Sequence, residues 1–363
     1  MNAANTNRSY YPSLDGLRGL AILLVVFYHN FGFINYFFFG WLGVDLFFVL
    51  SGFLITDILL KTKDSPHYLR NFYVRRILRI FPLYYLVLII LFIALPLLNR
   101  NVLLLEYYTD HQIWFWTYLQ NWLFIFHPVP DNTGALNHFW SLAVEEQFYL
   151  IWPFVILLFK KPKAIFYLLV GLLISLVTLR FVLWTYRIED LAYYNLYTFS
   201  RIDGICIGSM LAILRKINIK GVNRYFTIIV LTLAALNFIF YFFNKQNQFS
   251  FPYLAIAGYT TFAVIFGLLV NEGVEGENLL INKLLSSPIL KFFGSISYGL
   301  YVFHWPMYLV LSPSLTKWAE KNITAISPSI IASVIATILA ITIAYLSFHL
   351  FEKRFLLLKK RFE

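Results

Sequence analysis

Runs of about 20 mostly apolar residues recur along the whole chain, and each is long enough for a helix to cross a bilayer. An eleventh run, 112–127, is shorter and holds three tryptophans, a residue type enriched at membrane interfaces. The hydrophobic pattern predicts ten membrane-spanning helices, at 17–35, 40–60, 77–98, 140–159, 164–185, 199–214, 225–243, 252–270, 292–311 and 327–350.

Composition supports this membrane interpretation. Of the 363 residues, 60% are hydrophobic and 13% are charged, whereas soluble proteins carry about 25% charged residues. There is no low-complexity tract and no internal repeat, and no small-residue cleavage site follows the first apolar run. We therefore expect an all-α polytopic membrane helical bundle that forms a single domain over 1–363, without an appended extracytoplasmic domain.

The basic residues predict the orientation, because Lys and Arg accumulate in cytoplasmic loops. If 112–127 does not cross, 20 of the 29 Lys and Arg lie in inside segments, five lie outside and four lie within the predicted helices. If it crosses, Lys160, Lys161 and Lys163 face outward, against the rule. We therefore expect both termini inside, with 112–127 lying at the outer interface or entering the membrane only partway.

Charge and cysteine content limit the possible ligands. The net charge of +11 follows the loop pattern just described, so it does not indicate nucleic-acid binding. The single cysteine, Cys206, excludes a disulfide framework and a cysteine-based metal site. We expect no metal site and no permanently bound cofactor.

Two polar residues of the first predicted helix share one face. Arg18 and His29 are eleven residues apart, which brings them to within about 20° of each other and separates them by about 16 Å along the helix. Polar groups inside a bilayer are costly and commonly mark a transport path or a reaction site.

Converting sequence position to depth predicts two polar clusters. The inner cluster is cationic and suits a phosphate-bearing ligand, because guanidinium groups bind phosphate with two hydrogen bonds. The outer cluster mixes histidines with carboxylates and suits proton transfer at a hydroxyl. Tyr298 lies with His304 on the ninth predicted helix, past mid-membrane. The inner cluster contains Arg18, Arg75, Arg76 and Arg79, and the outer one contains His29, Asp45, Glu145, Arg201, Asp203 and His304.

Structural alternatives exist for most of these residues. The arginines at 75, 76 and 79 also fit an ordinary cytoplasmic loop, and Glu145 with Glu146 could cap a helix. Arg201 and Asp203 could neutralise each other across a bend. His304, next to a Trp-Pro pair, could be a satisfied residue at a helix kink.

Six blocks of the chain carry a family resemblance. In order they read PSLDGLRGLA (12–21), GWLGVDLFFVLSGFLI (40–55), RRILRIFPLY (75–84), HFWSLAVEEQFYLIWP (138–153), SRIDGICIG (200–208) and SISYGLYVFHWP (295–306). The ordered set, with ten residues between Arg18 and His29, resembles the membrane-bound acyltransferase family 3, the bacterial O-acyltransferases that modify surface polysaccharides and other secreted molecules.

This resemblance implies an enzyme of the bacterial inner membrane that moves an acyl group, most often acetyl, from acyl-coenzyme A to a hydroxyl of a glycan or glycolipid. Arg18, Arg75, Arg76 and Arg79 would bind the donor. His29 would act as general base or carry the acyl group, and Glu145 or Asp45 would orient its imidazole. Arg201, Asp203, Tyr298 and His304 would lie on the acceptor side or be structural.

Other readings of the sequence remain open. A transporter or flippase for a glycan or lipid-linked intermediate also fits ten helices with intramembrane charges, although such proteins commonly show two related halves. A non-catalytic scaffold has no need for Arg18, His29 and Glu145. An acyltransferase could pass its acyl group directly to the acceptor or to a separate extracytoplasmic transfer protein.

Overall fold

The computed structural model describes residues 11–98, 105–130, 134–186, 201–219, 225–247, 257–276, 278–323 and 326–362. Every regular element in these ranges is helical. The helices are α1 Pro12–Phe31, α2 Leu42–Thr62, α3 Tyr68–Ile89, α4 Glu106–Asp110, α5 Gln112–Trp116, α6 Gln120–Phe126, α7 Trp140–Leu158, α8 Pro162–Thr185, α9 Asp203–Lys216, α10 Phe226–Asn247, α11 Tyr259–Glu275, α12 Leu279–Leu285, α13 Pro288–Ser295, α14 Ser297–Asn322, α15 Pro328–Ser347 and α16 Lys353–Leu358.

Within these ranges, six helical stretches are long and apolar enough to cross a membrane by length and composition: they contain α1, α2, α3, α7, α8 and α15. This confirms the all-α membrane bundle. The count of ten crossings and the inside position of both termini stay predictions.

Several predicted helix boundaries differ from the structure, and two of these differences matter for the site. Helix α3 begins at Tyr68, nine residues before the predicted 77–98, so Arg75, Arg76 and Arg79 all belong to one continuous helix. The predicted helix 292–311 is divided at Ile296 into α13 and α14. At this break the Ser295 and Ser297 hydroxyls donate to the carbonyls of Phe292 and Gly294, local bonds that compete with a regular helix.

The segment 112–127 contains no membrane-length helix in its described structure. Helices α5 and α6 have five and seven residues, far fewer than the about 20 needed to cross. These short helices agree with the prediction that 112–127 does not cross the membrane.

Glycines allow the central helices to approach each other closely. Gly16 and Gly19 of α1 face the carbonyls of Leu285 and Leu290, and any Cβ at either glycine would overlap them. Gly52 of α2 and Gly208 of α9 make the equivalent approach between those two helices. Small residues are the usual solution in membranes, where lipid is as apolar as a side chain and association depends on close packing.

Helix α1 is the shared element of this packing, because it contacts α2, α13 and α14. Residues at the two ends of α1 therefore face different neighbouring helices.

Candidate active site

Two cavities lie among the helices that carry the predicted site residues. The first, the arginine cavity, has a volume of about 100 Å³, and the second, the histidine cavity, of about 660 Å³. The charged residues of the arginine cavity are Arg18, Arg76, Arg79, Glu145 and Glu146. The polar and ionisable residues of the histidine cavity are Tyr28, His29, Asn137, His138, Arg201, Tyr259 and Tyr301.

The two cavities share part of their walls. Val44 and Tyr301 line both of them. The Tyr301 hydroxyl donates to the His138 carbonyl at 2.7 Å and lies 2.6 Å from Oγ of Ser141, a residue of the arginine cavity. One layer of side chains therefore separates the cavities.

Arg18 and His29 lie on α1 as the spacing predicts, but they serve different cavities. Arg18 lines the arginine cavity and His29 the histidine cavity, about 16 Å apart along the helix axis. Arg18 also forms an ion pair with Asp15 at 3.0 Å. A single helix thus contributes a residue to each of the two cavities.

The arginines of α3 divide into two groups. Arg76 and Arg79 line the arginine cavity, and the Arg76 guanidinium lies 5.0 Å from the ring centroid of Tyr149. Arg75, one residue earlier, is buried but is not part of the cavity wall. Adjacent residues on a helix point about 100° apart, so they cannot all face one cavity.

Glu145 lies in the arginine cavity, so its predicted place beside His29 is wrong. Ser51 Oγ donates to its Oε1 at 2.8 Å, and the Tyr149 hydroxyl donates to Oε2 at 3.0 Å. Ser141, Glu145 and Tyr149 are spaced four residues apart and form one stripe of α7 that faces this cavity. Asn137, His138 and Trp140, at the start of α7 and just before it, line the histidine cavity instead.

The two aspartates of the outer cluster each pair with an arginine. Asp45 Oδ1 lies 3.1 Å from Arg201 Nη2, and Asp203 Oδ2 lies 3.1 Å from Arg180 Nη1. The hypothesis that Arg201 and Asp203 pair with each other is therefore wrong, as is the pairing of Asp45 with His29. The Arg201 guanidinium also stacks on Tyr259, 3.7 Å from its ring centroid.

Aromatic and histidine rings surround His29. Its Nδ1 lies 3.0 Å from Nε2 of His304 and 3.1 Å from the Val25 carbonyl oxygen. The ring centroid of Trp305 is 4.9 Å away. His304, which the sequence analysis assigned to the outer cluster together with His29, therefore lies within hydrogen-bonding distance of it.

The structure adds residues that the sequence analysis did not select. The buried His138 ring lies 5.2 Å from that of His304 and 6.3 Å from that of His29. Its position seven residues before Glu145, in a block already noted, was the available signal. Tyr298, predicted to be acceptor-side or structural, lines the arginine cavity and not the histidine cavity, and its hydroxyl donates to the Ile80 carbonyl at 2.8 Å.

Comparison with known proteins now identifies the family. The family model described as "Acyltransferase domain" (Acyl_transf_3) matches residues 11–349, a stretch that includes the residues of both cavities. The chain belongs to this acyltransferase family.

Curated relatives of this chain have related descriptions. It is 33% identical to the peptidoglycan O-acetyltransferase OatA of Listeria monocytogenes over 95% of this chain and 56% of that protein. It is also 33% identical to the putative peptidoglycan O-acetyltransferase YrhL of Bacillus subtilis, over 95% of this chain and 54% of that protein. A putative O-acetyltransferase of Staphylococcus aureus strain COL is 30% identical over 82% of this chain.

The chain spans about half the length of these relatives. No solved structure gives a significant match.

Proposed function

We propose that this acyltransferase moves an acetyl group from acetyl-coenzyme A on the cytoplasmic side of a bacterial plasma membrane directly to a hydroxyl of a cell-envelope glycan. One observation carries the proposal: α1 places Arg18 in a cationic cavity and His29 in a larger neighbouring one, with Val44 and Tyr301 between them. The names of the relatives support acetyl as the acyl group and peptidoglycan as the acceptor class.

The arginine cavity suits the donor. Three guanidinium groups outnumber the two carboxylates in its wall, so positive charge is available for the coenzyme phosphates. Small-molecule sites commonly enclose about 300–1,000 Å³, so a cavity of about 100 Å³ admits the thioester arm but not the whole coenzyme. The nucleotide then lies at the cavity mouth, and the arm extends toward Tyr301.

The histidine cavity suits the acceptor. Its volume of about 660 Å³ accommodates a sugar unit, and its wall contains aromatic rings and hydrogen-bonding groups. His29 removes the proton of the acceptor hydroxyl, and the oxygen attacks the thioester carbonyl carbon. The new C–O bond forms as the C–S bond breaks, and His29 passes the proton to the thiolate of coenzyme A.

Substitution of His29 tests the proposal. The purified full chain is given radiolabelled acetyl-coenzyme A and soluble fragments of de-O-acetylated peptidoglycan, and base-labile label on the glycan is measured. Wild type should label the fragments, and His29→Gln should reduce labelling to background while donor binding persists, because an amide cannot shuttle a proton near neutral pH. The exposed His67→Gln is the matched control.

Two results would overturn the proposal. One is a His29→Gln variant that labels the glycan within a few-fold of the wild-type rate. The other is a folded wild-type protein that binds acetyl-coenzyme A but leaves the fragments unlabelled.

A covalent acetyl-His29 intermediate is the alternative to the general-base step. Rapid quenching with labelled donor and no acceptor distinguishes the two routes. Label recovered on His29 indicates the covalent route, and its absence while acceptor-dependent turnover persists indicates the general-base route.

A further inference from the structure

The hydrogen bonds of His304 define which of its nitrogens carries the proton. Its Nδ1 lies 3.0 Å from the Leu300 carbonyl oxygen and 2.8 Å from that of Tyr301. Carbonyl oxygens only accept hydrogen bonds, so Nδ1 must be the donor. In a neutral imidazole the other nitrogen, Nε2, is then an acceptor.

The same argument applies to His29. Its Nδ1 lies 3.1 Å from the Val25 carbonyl oxygen and 3.0 Å from Nε2 of His304. Both neighbours are acceptors, so Nδ1 of His29 carries the proton. Its Nε2 keeps a lone pair, and His29 is part of the wall of the histidine cavity.

We propose that His304 is the positioning residue for His29: it accepts the Nδ1–H bond and holds the tautomer whose Nε2 lone pair serves the reaction. This inference rests on the proposed function. His304 then has the place that a carboxylate has in a Ser-His-Asp triad. The two carboxylates considered for that place are engaged elsewhere, Asp45 with Arg201 and Glu145 with Ser51 and Tyr149.

The surroundings of His304 suit this task. The ring is fully buried, and its Nδ1 proton is directed at two carbonyls of its own helix, so the acceptor nitrogen cannot rotate away without breaking those bonds. When His29 takes a proton at Nε2, its Nδ1–H bond to His304 becomes a charge-assisted one, which is roughly twice as strong as a neutral bond. His304 therefore favours the protonated His29 that forms during transfer.

Three substitutions of His304 test the inference in the labelling assay described above. His304→Gln keeps an acceptor at about the reach of Nε2, His304→Leu removes it, and His304→Asn keeps polarity but is too short. The exposed His67→Leu is the control. Thermal unfolding in detergent and the KM for acetyl-coenzyme A are measured for every variant.

We expect His304→Leu and His304→Asn to lower kcat by about 30-fold or more, with the donor KM within about threefold of wild type. Loss of the correct tautomer in a triad costs about 10⁴-fold, and the Val25 carbonyl preserves part of that effect here. His304→Gln should stay within about tenfold of wild type, because its amide oxygen can accept from His29. If the leucine variant does not fold, the glutamine–asparagine comparison decides.

The inference is overturned if the leucine or asparagine variant keeps a third of the wild-type kcat. It is also overturned if the glutamine variant loses as much kcat as the other two, since a structural role makes no use of an acceptor atom. In both cases an inactive His29→Gln leaves the proposed function standing, whereas an active His29→Gln removes the proposed function itself.

Discussion

At the scale of single residues, some arginines of this bundle form buried ion pairs and others line the arginine cavity. Arg201 and Arg180 form buried ion pairs with Asp45 and Asp203. Arg76 and Arg79 instead line the arginine cavity, where a ligand can reach them. The first kind of arginine should affect stability and the second kind should affect donor binding.

Removal of a cavity arginine should weaken donor binding. Arg76→Ala or Arg79→Ala should raise the KM for acetyl-coenzyme A by about 10- to 150-fold, since one charge-assisted phosphate contact contributes about 1.5–3 kcal/mol. The KM for the glycan should change little. Arg70→Ala is the matched control, an exposed arginine of the same helix, and steady-state kinetics provides the measurement. An unchanged donor KM would assign Arg76 and Arg79 to membrane orientation alone.

Removal of one partner of a buried pair should destabilise the protein. Asp45→Leu leaves the Arg201 charge without its carboxylate, which costs about 3–5 kcal/mol. The double variant Asp45→Leu with Arg201→Met should recover most of that loss, because replacement of a whole buried pair by apolar residues is often neutral. Thermal unfolding in detergent checks both variants. Equal melting temperatures for the single variant and wild type would contradict the prediction.

At the scale of helices, backbone proximity decides where the polar residues meet. Helix α1 lies against the end of α12 at Gly16 and against α13 at Gly19, and α2 lies against α9 at Gly52 and Gly208. The α2–α9 contact brings Asp45 and Arg201 within 3.1 Å, and the packing of α1 against α14 brings His29 to His304. Glycine packing and site geometry are therefore coupled.

Adding a methyl group at the close contact should separate α2 from α9. A Cβ at Gly208 would overlap backbone atoms of Val49 and Phe53, so Gly208→Ala should lower the melting temperature and the folded yield. Gly171→Ala is the control, because no other described atom lies within 4 Å of a Cβ there. Alanine in a helix interior is favoured over glycine by about 1 kcal/mol, so this control should be neutral or stabilising. A Gly208→Ala protein as stable as wild type would contradict the close approach.

At the scale of the whole molecule, topology determines which cavity faces which compartment. The proposed donor site at the arginine cavity requires access from the cytoplasm. That requirement depends on the predicted inside termini and on the segment 112–127 not crossing the membrane. Helices α5 and α6 are too short to cross.

Cysteine labelling in intact cells tests this topology. The native Cys206 is buried, so single cysteines introduced at the exposed residues 110, 127 and 216 report on their own positions. A membrane-impermeant reagent should label 110 and 127 from outside and should reach 216 only after the cells are opened. Opposite results for 110 and 127 would show that 112–127 crosses.

The sequence by itself determined the local properties of this protein. The apolar runs predicted where helices lie, and for 140–159 and 164–185 they predicted both helix ends to within a few residues. The Arg18–His29 spacing fixed what α1 presents at its two ends, since helical periodicity needs no partner. The six motif blocks indicated the family that the comparison established.

Tertiary structure alone decided which residues meet. Depth along a helix is readable from sequence, but the rotation of that helix against its neighbours is set by packing between residues distant in the chain. Glu145 therefore faces the arginines rather than His29, and Arg201 selects Asp45 over Asp203, two residues away. His304 reaches His29 across 275 residues, because a buried polar atom must find its partner wherever the helix packing places one.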